Sequence, residues 1–251
     1  MMHLSEHDLN LLKYLFKVKV ATYKQIHRDI YPMYAMKTTY KRVITLQKNR
    51  LLFSSYNRIG LPKEKVLSLT KLGYGKFVEI GGESRVELKS DAVAHDLVLA
   101  DIRHKFLKLK QIKDYYTENQ VQTWWQKSSD YVQKGLASLN TDALALTSIG
   151  DELVWAAIEY EPSEKSEARY RSIVKRFYSN DDLTFVLYCC GNEKIKSRLI
   201  EAEQKIYKNS FPKLFFNVKN FSNTGDTFIF LNRDKKKLSL QQKSVTDPLE
   251  N

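Results

Sequence analysis

Cysteine is almost absent from this chain: of 251 residues, only Cys189 and Cys190 carry thiols. Adjacent to one another inside an apolar run, they are poorly placed for a structural disulfide or a four-ligand zinc site, and they read as small buried hydrophobes. No apolar run is long enough to span a bilayer, and the N-terminus lacks the basic, apolar and small-residue succession of a secretory signal. A soluble cytoplasmic protein with no membrane insertion is expected. No internal repeat is present. Acidic residues are scarce where the chain begins: residues 1–85 hold 16 Lys or Arg against 6 Asp or Glu, a net charge of +10, while the remainder holds 25 against 23, a net of +2. The basic footprint belongs to the N-terminal third. It points to a polyanionic partner, nucleic acid ahead of an anionic membrane surface.

Two domains are expected at this length. Ser5 precedes a helical stripe of Leu9, Leu12, Leu15 and Phe16, with Glu6 and Asp8 suited to the helix N-terminus. A second helix is predicted over about 22–30, with Ile26 and Ile30 inward and Pro32 closing it. A third follows over about 37–49, with Tyr40, Val43, Ile44 and Gln47 inward. Two strand-like runs, 51–56 and 65–69, flank a turn at Gly60-Leu61-Pro62-Lys63. This is the order of a winged helix-turn-helix, here over residues 1–82. In that arrangement Lys37, Thr38, Thr39, Lys41, Arg42, Lys48 and Arg50 would serve the major groove of double-stranded DNA, and Lys63 and Lys65 the phosphates. A merely solvated basic face is the bland alternative. A winged helix can also mediate dimer contacts, so a homodimer stays open.

A short helix is predicted from Thr70, and Gly81-Gly82-Glu83-Ser84 reads as a linker to a second domain over 86–233. A polar, mobile tail is expected over 234–251. The second domain opens on a long helix, about 91–112, that carries His95, Leu99, Ile102, Phe106 and Leu109 in one line. Residues 115–119 read as a short strand and 127–138 as loop. The continuous apolar run 183–190 suits a strand buried on both faces, which favours a sheet covered by helices. Ile195, Leu199, Ala202 and Ile206 mark an amphipathic helix, and 214–221 and 227–231 are two further strands.

The chemistry is concentrated in residues 140–171. Two strand-like runs flank the turn Ser148-Ile149-Gly150-Asp151 and form a hairpin. With a period of two, Leu153, Trp155, Ala157, Glu159 and Glu161 share a face. A turn centred on those four residues puts Asp142 opposite about Ala157 and diagonal to Glu159, roughly 7 Å away. Carboxylates on a strand pair of an apolar unit repel one another and lose hydration unless a cation compensates. A hard, oxygen-ligated ion, Mg2+ or Mn2+, suits them; an edge hairpin with one wet face is the alternative. Ser163 can cap the helix that follows, whose buried stripe is Tyr170, Ile173, Val174 and Phe177. Lys165, Arg169, Ser172 and Arg176 share a different face of it.

Strand, acid-bearing hairpin, helix and buried strand come in an order similar to the core of restriction-endonuclease-like nucleases, a mixed sheet flanked by helices in an α+β or α/β fold. More specifically, the chain resembles the replication-relaxation family of mobile elements and, within it, the MOBC group of conjugative relaxases. The matching residues are His95-Asp96-Leu97, Asp101-Ile102-Arg103, Glu118-Asn119, Thr141-Asp142-Ala143, and Glu159-Tyr160-Glu161 continuing through Lys165-Ser166 to Arg169-Tyr170. The resemblance implies Asp142 and Glu159 as metal ligands, Glu118 as a further acid, and a divalent ion that activates water. His95, Glu161, Lys165 and Arg169 complete the candidate catalytic set. Two positions depart from the family: Thr141 stands where a proline is usual, and Glu161 where a lysine is expected. Either Lys165 or Arg169 supplies the missing charge from the helix, or the site is inactive as a nuclease. A tyrosine-type relaxase wants a tight histidine cluster, which His3, His7, His27, His95 and His104 do not offer.

Two functions follow. The first is a plasmid or integrative-element mobilisation protein that nicks origin DNA with metal help, alongside other mobilisation or replication proteins. The second is a non-catalytic DNA-binding regulator of replication or transcription, in which the nuclease-like domain serves dimerisation or a partner.

Overall fold

A computed structural model describes residues 4–56, 65–79, 90, 92–125, 128–218 and 227–243. The chain is a mixed α+β protein whose contacts divide it into two units, 1–104 and 105–251. The first unit opens with α1 (Glu6–Val18), started by a reciprocal cap: Ser5 Oγ accepts from the Asp8 N–H, and the Asp8 carboxylate accepts the Ser5 N–H at 2.7 Å. Then come β1 (Ala21–Thr22), α2 (Tyr23–Ile30) with a Thr22–Gln25 capping box, α3 (Met36–Lys48), β2 (Leu52–Tyr56), β3 (Lys65–Leu69) and α4 (Lys71–Glu79). The three strands form one antiparallel sheet in the order β1-β3-β2. The turn that joins β2 to β3, with Lys63, and the linker at 81–84 lie outside the described residues.

Helix α5 (Val93–Phe106) crosses the division between the units, which falls at 104/105, whereas the sequence places a boundary near 82–86. The reason is a polar network within the first unit. Gln25 Nε2 donates to the Leu97 carbonyl at 2.8 Å, Arg28 pairs with Asp101 at 2.6 Å, and His104 Nδ1 lies 2.6 Å from Asp29 Oδ1. Burial raises the proton affinity of Asp29, but its contacts with His104, Arg28 and Tyr14 prevail and hold the carboxyl well below the usual range. The helix is shorter than the stretch 91–112 read from periodicity; Ile102, Phe106 and Leu109 are buried as expected, while His95 and Leu99 are only partly so.

The second unit contains β4 (Ile112–Thr117), α6 (Glu118–Trp124), α7 (Tyr131–Ala137), β5 (Ala143–Ile149), β6 (Glu152–Glu161), α8 (Glu167–Tyr178), β7 (Leu183–Cys190), α9 (Glu193–Tyr207), β8 (Leu214–Val218), β9 (Thr227–Asn232) and β10 (Lys237–Gln241). Its seven strands run in the order β10-β9-β8-β7-β6-β5-β4. β7 is parallel to both of its neighbours, and every other pair is antiparallel. The sheet curls until a bridge between Leu109 and Gln242 joins the segment before β4 to the one after β10. One face packs Leu144, Ala157, Val186, Tyr188 and Phe216 against Ile173, Val174 and Phe177 of α8 and Ile195 and Leu199 of α9. The apolar run at 183–190 is therefore a central strand covered by helices.

Three expectations are corrected. Residues 131–137 are helical rather than loop, because Asp130 caps them by accepting from the Gln133 N–H at 3.1 Å and Leu136 and Ala137 enter the core. Part of the expected mobile tail is strand β10, paired with β9 along its whole length, with Leu240 fully buried. The cap of α8 is Ser166, not Ser163: its hydroxyl accepts from the Arg169 N–H at 3.3 Å. Among the described residues no helix is long and apolar enough to cross a membrane.

Candidate functional site

The site is built on the β5–β6 hairpin. Its turn is two residues, Gly150-Asp151, and Gly150 sits at φ 60, a left-handed conformation that glycine adopts without a Cβ clash. The four-residue turn read from sequence gives a register two residues out. Ala143 pairs with Ile158, so Asp142, just before the first pair, stands level with Glu159 rather than with Ala157. Directly opposed side chains have Cβ atoms about 4.5–5.5 Å apart, closer than the diagonal spacing. The Tyr160 N–H donates to Asp142 Oδ2 at 2.7 Å, and the Glu118 N–H donates to the Asp142 carbonyl at 2.9 Å. Asp142 is thus clamped between the start of α6 and the end of β6. Glu118 opens α6 beside it; its predecessor Thr117 caps that helix.

Glu159 and Glu161 point to the face covered by α8. Glu159 as a residue is half-buried, but its Oε1 is shut away from solvent and accepts no hydrogen bond. Burial first, and the Asp142 charge second, hold its carboxyl well above the usual range, while Arg176 and then Lys165 pull the other way. Glu161 is 3% exposed and differs in having a partner: Lys165 Nζ lies 2.5 Å from its Oε2. The loop that carries Lys165 is anchored by its own N–H donating to the buried Tyr170 hydroxyl at 3.0 Å. At the strand end the Gly191 N–H donates to the Glu161 carbonyl at 2.9 Å, and a Cβ on Gly191 would lie 2.9 Å from the Pro162 oxygen. Arg169 is exposed on α8.

Comparison of the chain with protein-family models, curated proteins and solved structures finds no match in any of the three. The site has to be judged on its own donors. Asp142 and Glu159 offer only oxygens, and one of those oxygens is buried and unpartnered. Such a set fits Mg2+ or Mn2+, which keep several waters and need only one or two carboxylates from the protein. Among the described residues no group of three His, Cys, Asp or Glu side chains converges into a ready-made ion cage. The thiols offer nothing in their place: burial pushes Cys189 up, and Cys190 up to about 12. His95 belongs to the first unit, with its Nδ1 3.6 Å from Asp96 Oδ1.

The basic helix of the first unit is rotated relative to the sequence reading. Its inward stripe is Thr39, Val43 and Leu46, all 0% exposed, while Tyr40 and Ile44 are 42% and 45% exposed. Thr39 is therefore not available to DNA; its hydroxyl meets His27 Nδ1 at 2.9 Å. Arg42 is committed to the fully buried Asp8 carboxylate through both Nε and Nη2. Burial works to raise Asp8, but its bonds to Arg42 and Ser5 leave its carboxyl below the usual range. Lys37, Thr38, Lys41, Lys48 and Arg50 are exposed, and Lys65 is half-buried at the start of β3. Tyr40 and Ile44 join Lys37 and Lys41 on the outer face.

Two residues of the acid site carry a signal in sequence that periodicity alone does not rank. Arg176 lies at the edge of the apolar stripe of α8, three residues after Ile173, and Tyr188 is the one hydroxyl-bearing aromatic in the run 183–190.

Proposed function

We propose that the chain is a DNA-binding protein of the mobilisation type, in which the first unit is a winged helix that recognises double-stranded DNA and the second cleaves one strand at an origin with Mg2+ or Mn2+. The element order α1-β1-α2-α3-β2-β3 and the exposed Lys37, Lys41 and Lys48 support the winged-helix reading. The antiparallel run β4-β5-β6, followed by α8 and a parallel β7, supports a restriction-endonuclease-like core. The observation that carries the proposal is the acid pair: Asp142 level with Glu159, whose buried Oε1 has no partner. Two carboxylates brought level with one another in an apolar unit, one of them with a buried oxygen that accepts no hydrogen bond, make sense as ligands. Asp142 and Glu159 would hold the ion, and the chemistry it supplies when bound is polarisation of a phosphodiester and of the attacking water. The Tyr160 and Glu118 N–H groups fix Asp142, while Lys165 neutralises Glu161 at the position where a lysine is usual in the family that the chain resembles.

The test is conversion of supercoiled origin DNA to the open circle, with Mg2+ or Mn2+ and with chelator. Wild type should nick only with metal, and Asp142→Ala and Glu159→Ala should lower the rate at least 100-fold, a loss in keeping with removal of a metal ligand. Full activity in both variants refutes the assignment.

The Glu161–Lys165 pair favours a second reading. An acid already matched by a lysine leaves neither group free for phosphate, as in a DNA-binding regulator that has kept the fold and lost the chemistry. That protein would bind duplex DNA, with an affinity that falls steeply with salt, and nick nothing.

A further inference from the structure

Among the buried side-chain atoms of the second unit that have no hydrogen-bond partner are Glu159 Oε1, the Tyr188 hydroxyl and, on α8 itself, Arg176 Nε. Glu159 and Tyr188 are paired in the parallel register of β6 and β7, so their side chains leave the sheet side by side on the same face. The Tyr188 ring packs edge-on against Phe177 of α8, at 6.3 Å between centroids, and the Arg176 guanidinium lies 5.1 Å from that same Phe177 ring. One acceptor and two donors therefore share one corner of the core. Buried polar groups in folded proteins are nearly always paired, because an unpaired one keeps its full desolvation cost. Three of them together describe a network waiting for a change in one member. Lys165 is already engaged with Glu161, and of the two cations that act on Glu159 Arg176 is the stronger.

We propose that Tyr188 and Arg176 are positioning residues for Glu159: with a divalent ion bound, the Tyr188 O–H and the Arg176 Nε–H donate to the Glu159 carboxylate and hold it against the ion. This rests on the reading of Asp142 and Glu159 as ligands and deepens it. The arrangement is that of outer groups which orient a metal ligand, whose loss costs about 10- to 100-fold in metal affinity.

The experiment is titration of the full chain with Mn2+ alone, followed by water-proton relaxation, beside thermal melts in chelator. Tyr188→Phe removes only the hydroxyl. It should weaken Mn2+ binding about 10- to 100-fold, yet melt in chelator at or above the wild-type temperature, because it deletes an unpaired buried hydroxyl. A group with a purely structural role would move the two readouts together. Arg176→Met should weaken Mn2+ at least as much, with partial rescue in Arg176→Lys; if the Met variant does not fold, Tyr188→Phe carries the test. Wild-type affinity in folded Tyr188→Phe, or a lower melting temperature in chelator, overturns the inference and leaves the ligand pair standing. No Mn2+ binding by wild type overturns the ligand pair itself, and this inference with it.

Discussion

Replacing Glu159 by Gln separates the cost of a buried acid from its use. Without metal, burial and then the neighbouring Asp142 keep the Glu159 proton bound in the folded protein at pH values where the unfolded chain, with an ordinary value of 4.5, has released it. For a group whose folded value is raised, the proton-linked stability is complete below 4.5 and drains away as pH rises towards the folded value. The slope cannot exceed about 1.4 kcal/mol per pH unit, so between pH 5 and pH 7 the wild type loses at most about 2.7 kcal/mol relative to a glutamine that does not titrate. Water reaching the half-buried residue lessens this. The prediction is a Glu159→Gln variant whose advantage in chelator grows as pH rises above 4.5 towards the raised folded value. Urea unfolding followed by tryptophan fluorescence reads the correct unit, since Trp124, Trp125 and Trp155 all belong to the second. Saturating Mn2+ should reverse the order, adding about 2.7 kcal/mol to wild type at 100 times the dissociation constant. A difference that ignores pH, or a wild type that gains on the variant as pH rises, refutes the reasoning.

Arg42→Ala strands the fully buried Asp8 charge and should cost about 3 kcal/mol at pH 7, the lower end for breaking a buried pair because Arg42 is itself partly exposed. Asp8 titrates below the usual range, so that cost is present above about pH 3.8 and vanishes as pH falls through the folded value; melts at pH 7 and in acid check it. Gly191→Ala places a Cβ 2.9 Å from the Pro162 oxygen and should lose about 1–3 kcal/mol in urea unfolding of the second unit. Lys41→Ala should weaken duplex binding across all sequences and reduce the slope of log affinity against log salt by about 0.9, as read by fluorescence anisotropy.

Much of the second unit was legible in the sequence because its signals are local and redundant. The run 183–190 could only be a buried strand, and Ile195, Leu199 and Ala202 could only face inward on a helix. The hairpin was legible too, but its register was not. One choice, a two-residue turn at Gly150-Asp151 instead of four residues, moves Asp142 from Ala157 to Glu159. In α3 a polar Thr39 occupies an inward position while Tyr40 and Ile44 look outward, so hydrophobicity alone turns the helix the wrong way. Helix α7 and strand β10 are short, five to seven residues, and their apolar periodicity is correspondingly weak. The roles of Arg176 and Tyr188 lie beyond any local pattern, because their pairing with Glu159 exists only once β7 and α8 are packed on β6.

The most direct measurement is a calorimetric titration of Mn2+ into the full chain and into Asp142→Ala and Glu159→Ala. One metal site is expected in wild type and none in either variant, with all three folded. Absence of binding by wild type, or the same binding in all three proteins, would contradict that expectation.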